Sequence, residues 1–268
     1  MTHATLQPLS ALSAAARRAL RGVLTDIDDT LSTKGRIDAA AYTAMERLRA
    51  RGLLVIPVTG RPAGWCDHIA RMWPVDGVVG ENGALYMIHD ERRGKLRKRY
   101  AEGVEPGVSA ARLERIAQAV LREVPGAALA SDQRYRETDL AIDYCEDVPA
   151  LPSEAVDRIV ALMRAEGMSV RVSSIHVNGW FGAYDKLTTA RTLLSEEFGH
   201  DLERDRDRFV FVGDSPNDEP MFDYFPYSVG VANVRRFVDR MSALPRYVTE
   251  RESGAGFVEL ADWLVDAR

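Results

Sequence analysis

Gly22-Val23-Leu24-Thr25-Asp26-Ile27-Asp28 is a short apolar run that ends in two carboxylates. A run of this length without polar alternation is the pattern of a strand buried on both faces of a parallel sheet. Carboxylates at its C-terminal end then lie where open α/β sheets hold their ligands. Outward from it, a helical stretch follows at about residues 38–51. Leu53-Leu54-Val55-Ile56-Pro57-Val58 forms a second run, stopped by Thr59-Gly60-Arg61-Pro62. A helix over about 63–72 leads to a third run at Val75–Val79, and this βαβαβ order predicts a parallel sheet with helices on its faces.

The middle of the chain changes character. Arg92-Arg93-Gly94-Lys95-Leu96-Arg97-Lys98-Arg99 carries six positive charges in eight residues. It is read as a solvated hairpin of an inserted unit, with an anion or nucleic-acid contact as the other reading. Leu113, Ile116, Ala117, Val120 and Leu121 keep helical spacing, as do Val156, Ile159, Val160 and Met163. Strands are expected at Leu140–Tyr144 and near 169–173 and 175–181, so two strand-helix-strand groups indicate a separate α+β unit. After Lys186 the first pattern returns, with the run Phe209-Val210-Phe211-Val212 ending in Gly213-Asp214 and a last helix bearing Phe257, Leu260, Ala261 and Leu264. The expected organisation is a core in two parts, 1–86 and 181–268, interrupted by an α+β cap at 87–180.

Composition excludes other classes. Glycine and proline make up 32 of 268 residues and hydrophobic residues 46%, which removes collagenous and disordered chains. No apolar run approaches bilayer length, and a net charge of −5 offers no global attraction to nucleic acid or membrane. Cys66 and Cys145 stand 79 residues apart without CxxC pairing, so a reducing, cytoplasmic setting is the expectation. Arg17, Arg18 and Arg21 lie in an acid-free start, but they follow the apolar stretch instead of preceding it, so no secretory signal fits. Leu6–Leu20 reads as a short surface helix or tail.

Three strand ends deliver the chemistry: Asp26 with Asp28, then Thr59, then Asp214 with Asp218. In an open parallel sheet these ends converge on one crevice, so residues 188 apart can share a site. Clustered carboxylates raise each other's pKa unless a cation intervenes, and oxygen-only ligands point to Mg²⁺. Lys186, at the start of a helix, supplies a compact positive charge suited to a phosphate oxygen.

These residues carry a resemblance. Asp26-Ile27-Asp28-Asp29-Thr30 resembles the DxDxT motif of the haloacid dehalogenase superfamily. Thr59 in VTGRP resembles its second motif, Lys186 its third, and Gly213-Asp214-Ser215-Pro216-Asn217-Asp218 its fourth. Thr30 to Thr59 is 29 residues, too few for a large cap, whereas Thr59 to Lys186 is 127. With Gly80-Glu81-Asn82-Gly83-Ala84, this layout is similar to the type IIB, Cof-like group, which includes sugar-phosphate phosphatases and phosphomutases. The implied fold class is α/β: a Rossmann-like three-layer core with an inserted α+β cap.

The resemblance also implies roles. Asp26 would be the nucleophile and Asp28 the acid and base, with Thr59 and Lys186 holding phosphoryl oxygens. Asp26, Asp28 through its carbonyl, Asp214, Asn217 and Asp218 would form the Mg²⁺ shell. Gly60, Arg61, Asn82, His176 and Asn178 join Thr59 and Lys186 as expected substrate contacts. Arg61 also reads as an exposed turn residue, and His176 and Asn178 as strand residues bonded to neighbouring loops. A carboxylate at 28 distinguishes phosphatases from dehalogenases, so the expected reaction is Mg²⁺-dependent hydrolysis of a small phosphomonoester, a sugar phosphate or phosphorylated glycosyl metabolite. Phosphomutase chemistry and a catalytically retired ligand-binding protein stay open. The expected partner is a small phosphorylated molecule, with neither nucleic acid nor membrane, acting on a monomer or homodimer.

Overall fold

Period-two burial decides the architecture of the computed structural model, which describes residues 6–267. In chain order the core begins with strand β1 (Gln7–Pro8), helix α1 (Ala14–Ala19), β2 (Gly22–Thr25), α2 (Ala39–Ala50), β3 (Leu54–Pro57), α3 (Ala63–Met72), β4 (Val78–Gly80), β5 (Leu85–Asp90) and β6 (Lys95–Tyr100). The inserted unit follows as α4 (Ala110–Glu123), β7 (Ala128–Leu129), β8 (Asp139–Asp143), α5 (Ser153–Ala165), β9 (Ser169–Val172) and β10 (His176–Trp180). The core resumes with α6 (Lys186–Phe198), α7 (Leu202–Asp205), β11 (Phe209–Gly213), α8 (Glu219–Tyr224), β12 (Ser228–Gly230), β13 (Tyr247–Val248) and α9 (Ser253–Val265).

Six strands form a parallel sheet in the order β1-β13-β12-β11-β2-β3. Both of its faces are apolar. Val23, Val55, Val210 and Val212 pack on one side with Met45, Leu48, Phe257 and Leu260 of α2 and α9. Leu24, Ile56, Phe209 and Phe211 pack on the other with Leu193, Leu194, Met221 and Phe222 of α6 and α8. Each fully buried Val, Leu or Phe contributes about 1.5–3 kcal/mol, which is why these strands tolerate polar residues only at their ends. The start of the chain is more than a surface helix: β1 pairs with β13 at the sheet edge, and Leu9, Leu12 and Leu20 are buried.

The hairpin β5–β6 differs from expectation. The expected unit boundary at 86/87 falls inside β5, which pairs with β4, and β4 is bridged to the core sheet through Val58 and Val79. Tyr86 and Ile88 pack among α6 residues, so the basic hairpin lies against the core. Its charges are partly paired, Arg97 with Glu197 and Lys98 with Glu137. The inserted sheet, β7-β8-β10-β9, is antiparallel. One face, with Leu140, Ile142, Val170 and Val177, packs on α4 and α5. Asp139, Asp143, His176 and Asn178 occupy alternate positions, and all four are buried. Among the described residues no helix is long and apolar enough to cross a membrane.

Candidate active site

Asp26 immediately follows β2, and its amide donates to the Val212 carbonyl of β11 (2.9 Å), so sheet pairing continues up to the carboxylate. Asp214 follows β11 and Lys186 opens α6. Gly83 makes that approach possible: its φ is +107°, and a Cβ there would lie 2.0 Å from the Asp185 carbonyl oxygen. Asp218 is the third residue of a turn capped by Ser215. Its Oδ2 accepts from the amides of Asp214 (3.1 Å) and Ser215 (3.4 Å), close enough that a Cβ on Gly213 would stand 2.3 Å from it. Asp218 is therefore both a turn cap and a site carboxylate.

Lys186 Nζ donates to Asp26 Oδ1 (2.7 Å) and to Asp218 Oδ1 (2.8 Å). Carboxylate oxygens of Asp26, Asp214 and Asp218 lie within 4.8 Å of one another, and all three residues are buried. Burial pushes Asp26 up to about 8, with Asp218 and Asp28 adding to the rise and Lys186 opposing it. Asp214 is likewise raised, by burial and then by Asp26 and Asp218. Burial would lower the Lys186 ammonium, yet Asp218 and Asp26 hold it above its ordinary range. Three buried carboxylates against one ammonium leave the pocket two positive charges short. An oxygen-only donor set with that deficit fits a hard divalent cation such as Mg²⁺.

Thr59 is buried at the end of β3, where its Oγ1 accepts from the Arg61 amide (3.0 Å). The Asn82 amide donates to the Thr59 carbonyl and the Glu81 amide to the Arg61 carbonyl, both at 3.0 Å, which straps the 80–84 turn beside the loop after β3. The side-chain amide of Asn82 is buried beside Gly60, and neither of its polar atoms finds a hydrogen-bond partner among the described residues. Asn217 is buried and its Oδ1 accepts from Ser215 (2.9 Å), with no side-chain hydrogen bond to the acids among the described residues.

Other expected contacts land elsewhere. Arg61 is buried, not an exposed turn residue, and its guanidinium is taken by acids: Asp28 (2.7–3.0 Å), Asp132 (3.2 Å) and Glu146. The Asp28 side chain thus faces Arg61 instead of the acidic trio. His176 Nε2 lies 2.8 Å from Glu146, and Asn178 donates to Asp139 (3.1 Å). Strand pairing fixes both on the buried polar face of the inserted sheet, where these partners meet them before a ligand at Asp26 would.

Four residues escaped sequence reading. Asn233 donates to Asp214 Oδ2 and to the Asp29 carbonyl, each at 3.0 Å, and orients the acid; it follows the strand end at Gly230, the same signal that marked the other sites. Glu81, inside the quoted turn, accepts from the amides of Ala63 (2.9 Å), Glu137 (2.8 Å) and Thr138 (2.8 Å), joining core to inserted unit. Glu146 and Asp132 come from irregular segments and give no sequence signal.

A parallel α/β core, carboxylates gathered at its strand ends and an α+β unit inserted between Thr59 and Lys186 define a Rossmann-like protein with an inserted unit and a buried acidic site. The sequence pattern of the haloacid dehalogenase-like hydrolases matches residues 23–104. A phosphoglycolate phosphatase of Methanosarcina mazei is 26% identical over 249 residues, covering 91% of this chain and 96% of the relative. One from Methanoculleus marisnigri is 28% identical over 246 residues, covering 90% and 94%. Among solved structures, the C-terminal domain of C. albicans trehalose-6-phosphate phosphatase superposes with a TM-score of 0.73 at 13% identity, covering 99% of both chains. Thermoplasma acidophilum 0175 gives 0.66 at 18%, covering 93% and 99%; at these identities both attest to the fold. Residues 23–104 thus carry the haloacid dehalogenase-like hydrolase pattern, and the chain as a whole shares the fold of these solved structures.

Proposed function

We propose that the protein is a Mg²⁺-dependent phosphatase that hydrolyses a small phosphomonoester through a phospho-Asp26 intermediate. The observation that carries this reading is the meeting of Asp26, Lys186, Asp214 and Asp218 although the first and last stand 192 residues apart in sequence. The names of the relatives, phosphoglycolate phosphatases, point to the same reaction class.

In this mechanism the Asp26 carboxylate attacks phosphorus and the bond to the leaving alkoxide breaks. Asp28 gives that oxygen a proton, then takes one from a water that attacks the phospho-Asp26, releasing inorganic phosphate and the free carboxylate. Asp28 must turn from Arg61 to do so. Lys186 and Thr59 would neutralise and orient phosphoryl oxygens, and the unpartnered Asn82 amide offers a further donor. Asp26, Asp214 and Asp218 would hold Mg²⁺, which when bound offsets charge on the phosphoryl group. Asn233 holds Asp214 in place for that task.

The test is hydrolysis of p-nitrophenyl phosphate by the full chain. Asp26→Asn is expected to lose roughly a thousandfold or more in turnover, with an unchanged circular dichroism spectrum. Chelation should stop the wild type, and added Mg²⁺ restore it. Turnover that survives Asp26→Asn would remove the nucleophile from the mechanism.

A further inference from the structure

Beside Asp28 a cleft of about 490 Å³ opens between core and inserted unit. Its walls include Asp28, Asp29, Glu146 and Asp147 against two cations, Lys34 and Arg61. A group that protonates the leaving oxygen must touch it, so this cleft is where the alcohol half of a substrate lodges. We propose that the cleft selects phosphomonoesters by the charge of the leaving group, favouring a cation over a neutral group and rejecting a carboxylate. The inference rests on the phosphatase reading and specifies its substrate class.

Arg61 is the cation that would be expected to hold an anionic leaving group, and it is already consumed. Its three nitrogens donate to Asp28, Asp132 and Glu146, and its side chain is only 4% exposed. When Asp28 turns away to act as the acid, Nη1 and Nη2 stay with Glu146 and Asp132, so a substrate carboxylate can take the guanidinium in a forked pair only by displacing Glu146, which stays in the same cleft. The exchange therefore adds a negative charge without adding a partner, which is specificity by repulsion. Glu146 is a durable part of that field. Burial would raise its pKa, but hydrogen bonds from His176 and Arg61 hold it at about 2. Lys34 is exposed at the rim, where water screens its charge. A substrate ammonium meets the opposite situation, since Asp29 and Asp147 in the walls have no ion-pair partner among the described residues.

Three esters of nearly equal size isolate the charge: phosphoethanolamine, 2-hydroxyethyl phosphate and phosphoglycolate. With Mg²⁺ and the full-length protein, kcat/KM should fall in that order, with phosphoglycolate at least about tenfold below 2-hydroxyethyl phosphate, an interval of about 1.4 kcal/mol. Added salt should narrow the interval, and so should Glu146→Gln. Phosphoglycolate turned over as well as the neutral ester, or better, would overturn the filter while p-nitrophenyl phosphate hydrolysis left the phosphatase reading standing. If Glu146→Gln does not fold, the wild-type series and its salt dependence decide alone. Absence of hydrolysis for every ester, p-nitrophenyl phosphate included, would overturn the phosphatase reading and the filter with it.

Discussion

Strand β11 of the core buries Phe209 and Phe211 on one face and Val210 and Val212 on the other, whereas β10 of the inserted unit buries Val177 against helices and places His176 and Asn178 among its alternate residues. The core sheet has no polar face to spend, so its chemistry is confined to strand ends, where Asp26 and Asp214 leave the apolar layers. The inserted sheet carries its polar groups in mid-strand, and each needs a partner there: Arg136 and Asn178 for Asp139, backbone amides for Asp143, Glu146 for His176. Placing polar groups at strand ends leaves carboxylates short of positive charge and ready for a ligand. Placing them in mid-strand yields a bonded platform that positions loops such as 144–147.

The largest break of this comparison comes from the two-faced core. Phe211 lies 5.5 Å edge-on from Phe222 and 6.4 Å from the stacked ring of Phe225. Phe211→Ala should cost about 3–5 kcal/mol of unfolding free energy in denaturant titration, because the cavity opens under a sheet that cannot collapse from its other face. A loss below about 1 kcal/mol would mean the core packs more loosely than its period-two burial indicates.

On the polar face the corresponding test is Asp143, whose Oδ1 accepts from the amides of Cys145 (2.9 Å) and Glu146 (2.8 Å) and whose Oδ2 accepts from Asp147 (2.9 Å). Asp143→Ala leaves three amides without their acceptor and should cost about 2–3 kcal/mol, concentrated in the inserted unit. Hydrogen exchange at residues 145–147 should accelerate, with Asp143→Asn between it and the wild type because one acceptor oxygen remains. Unchanged exchange in Asp143→Ala would show that the loop is positioned by something else.

The same contrast explains what the sequence made legible. A strand buried on both faces reads as an apolar run, and a carboxylate at its end stands out, so Asp26, Asp214 and the helix-opening Lys186 are visible and the structure brings them together. The helical faces of Leu113 and Ile159 are equally plain, since one apolar stripe per helix is all their packing requires. The partners of Arg61 were not legible. Asp132 and Glu146 approach it from loops 71 and 85 residues away, and nothing in local pattern reports which acid a buried guanidinium will meet. The basic hairpin reads as part of the inserted unit because the composition changes character there, whereas its strand β5 pairs back onto β4.

Where the two regions touch, the contact should depend on pH, and this is the smallest expected effect. The Glu146 carboxyl lies at about 2 in the folded protein against an ordinary 4.5, since the bonds from His176 and Arg61 outweigh burial. A depressed folded pKa means the unfolded chain binds the proton first, so the stabilisation is full above about pH 4.5 and is lost as pH falls through about 2. Many other carboxyls titrate in that window, so the wild type alone cannot isolate it. The difference in Tm between wild type and Glu146→Gln can, because contributions distant from residue 146 cancel. That difference should be steady from pH 7 to about 5 and shrink towards pH 3. Glu146 is partly open to solvent, so a shift of only a few degrees is expected. A difference that stays constant to pH 3 would show that Glu146 joins the two regions by packing, and that the charge of the Arg61–Glu146 pair does not hold them together.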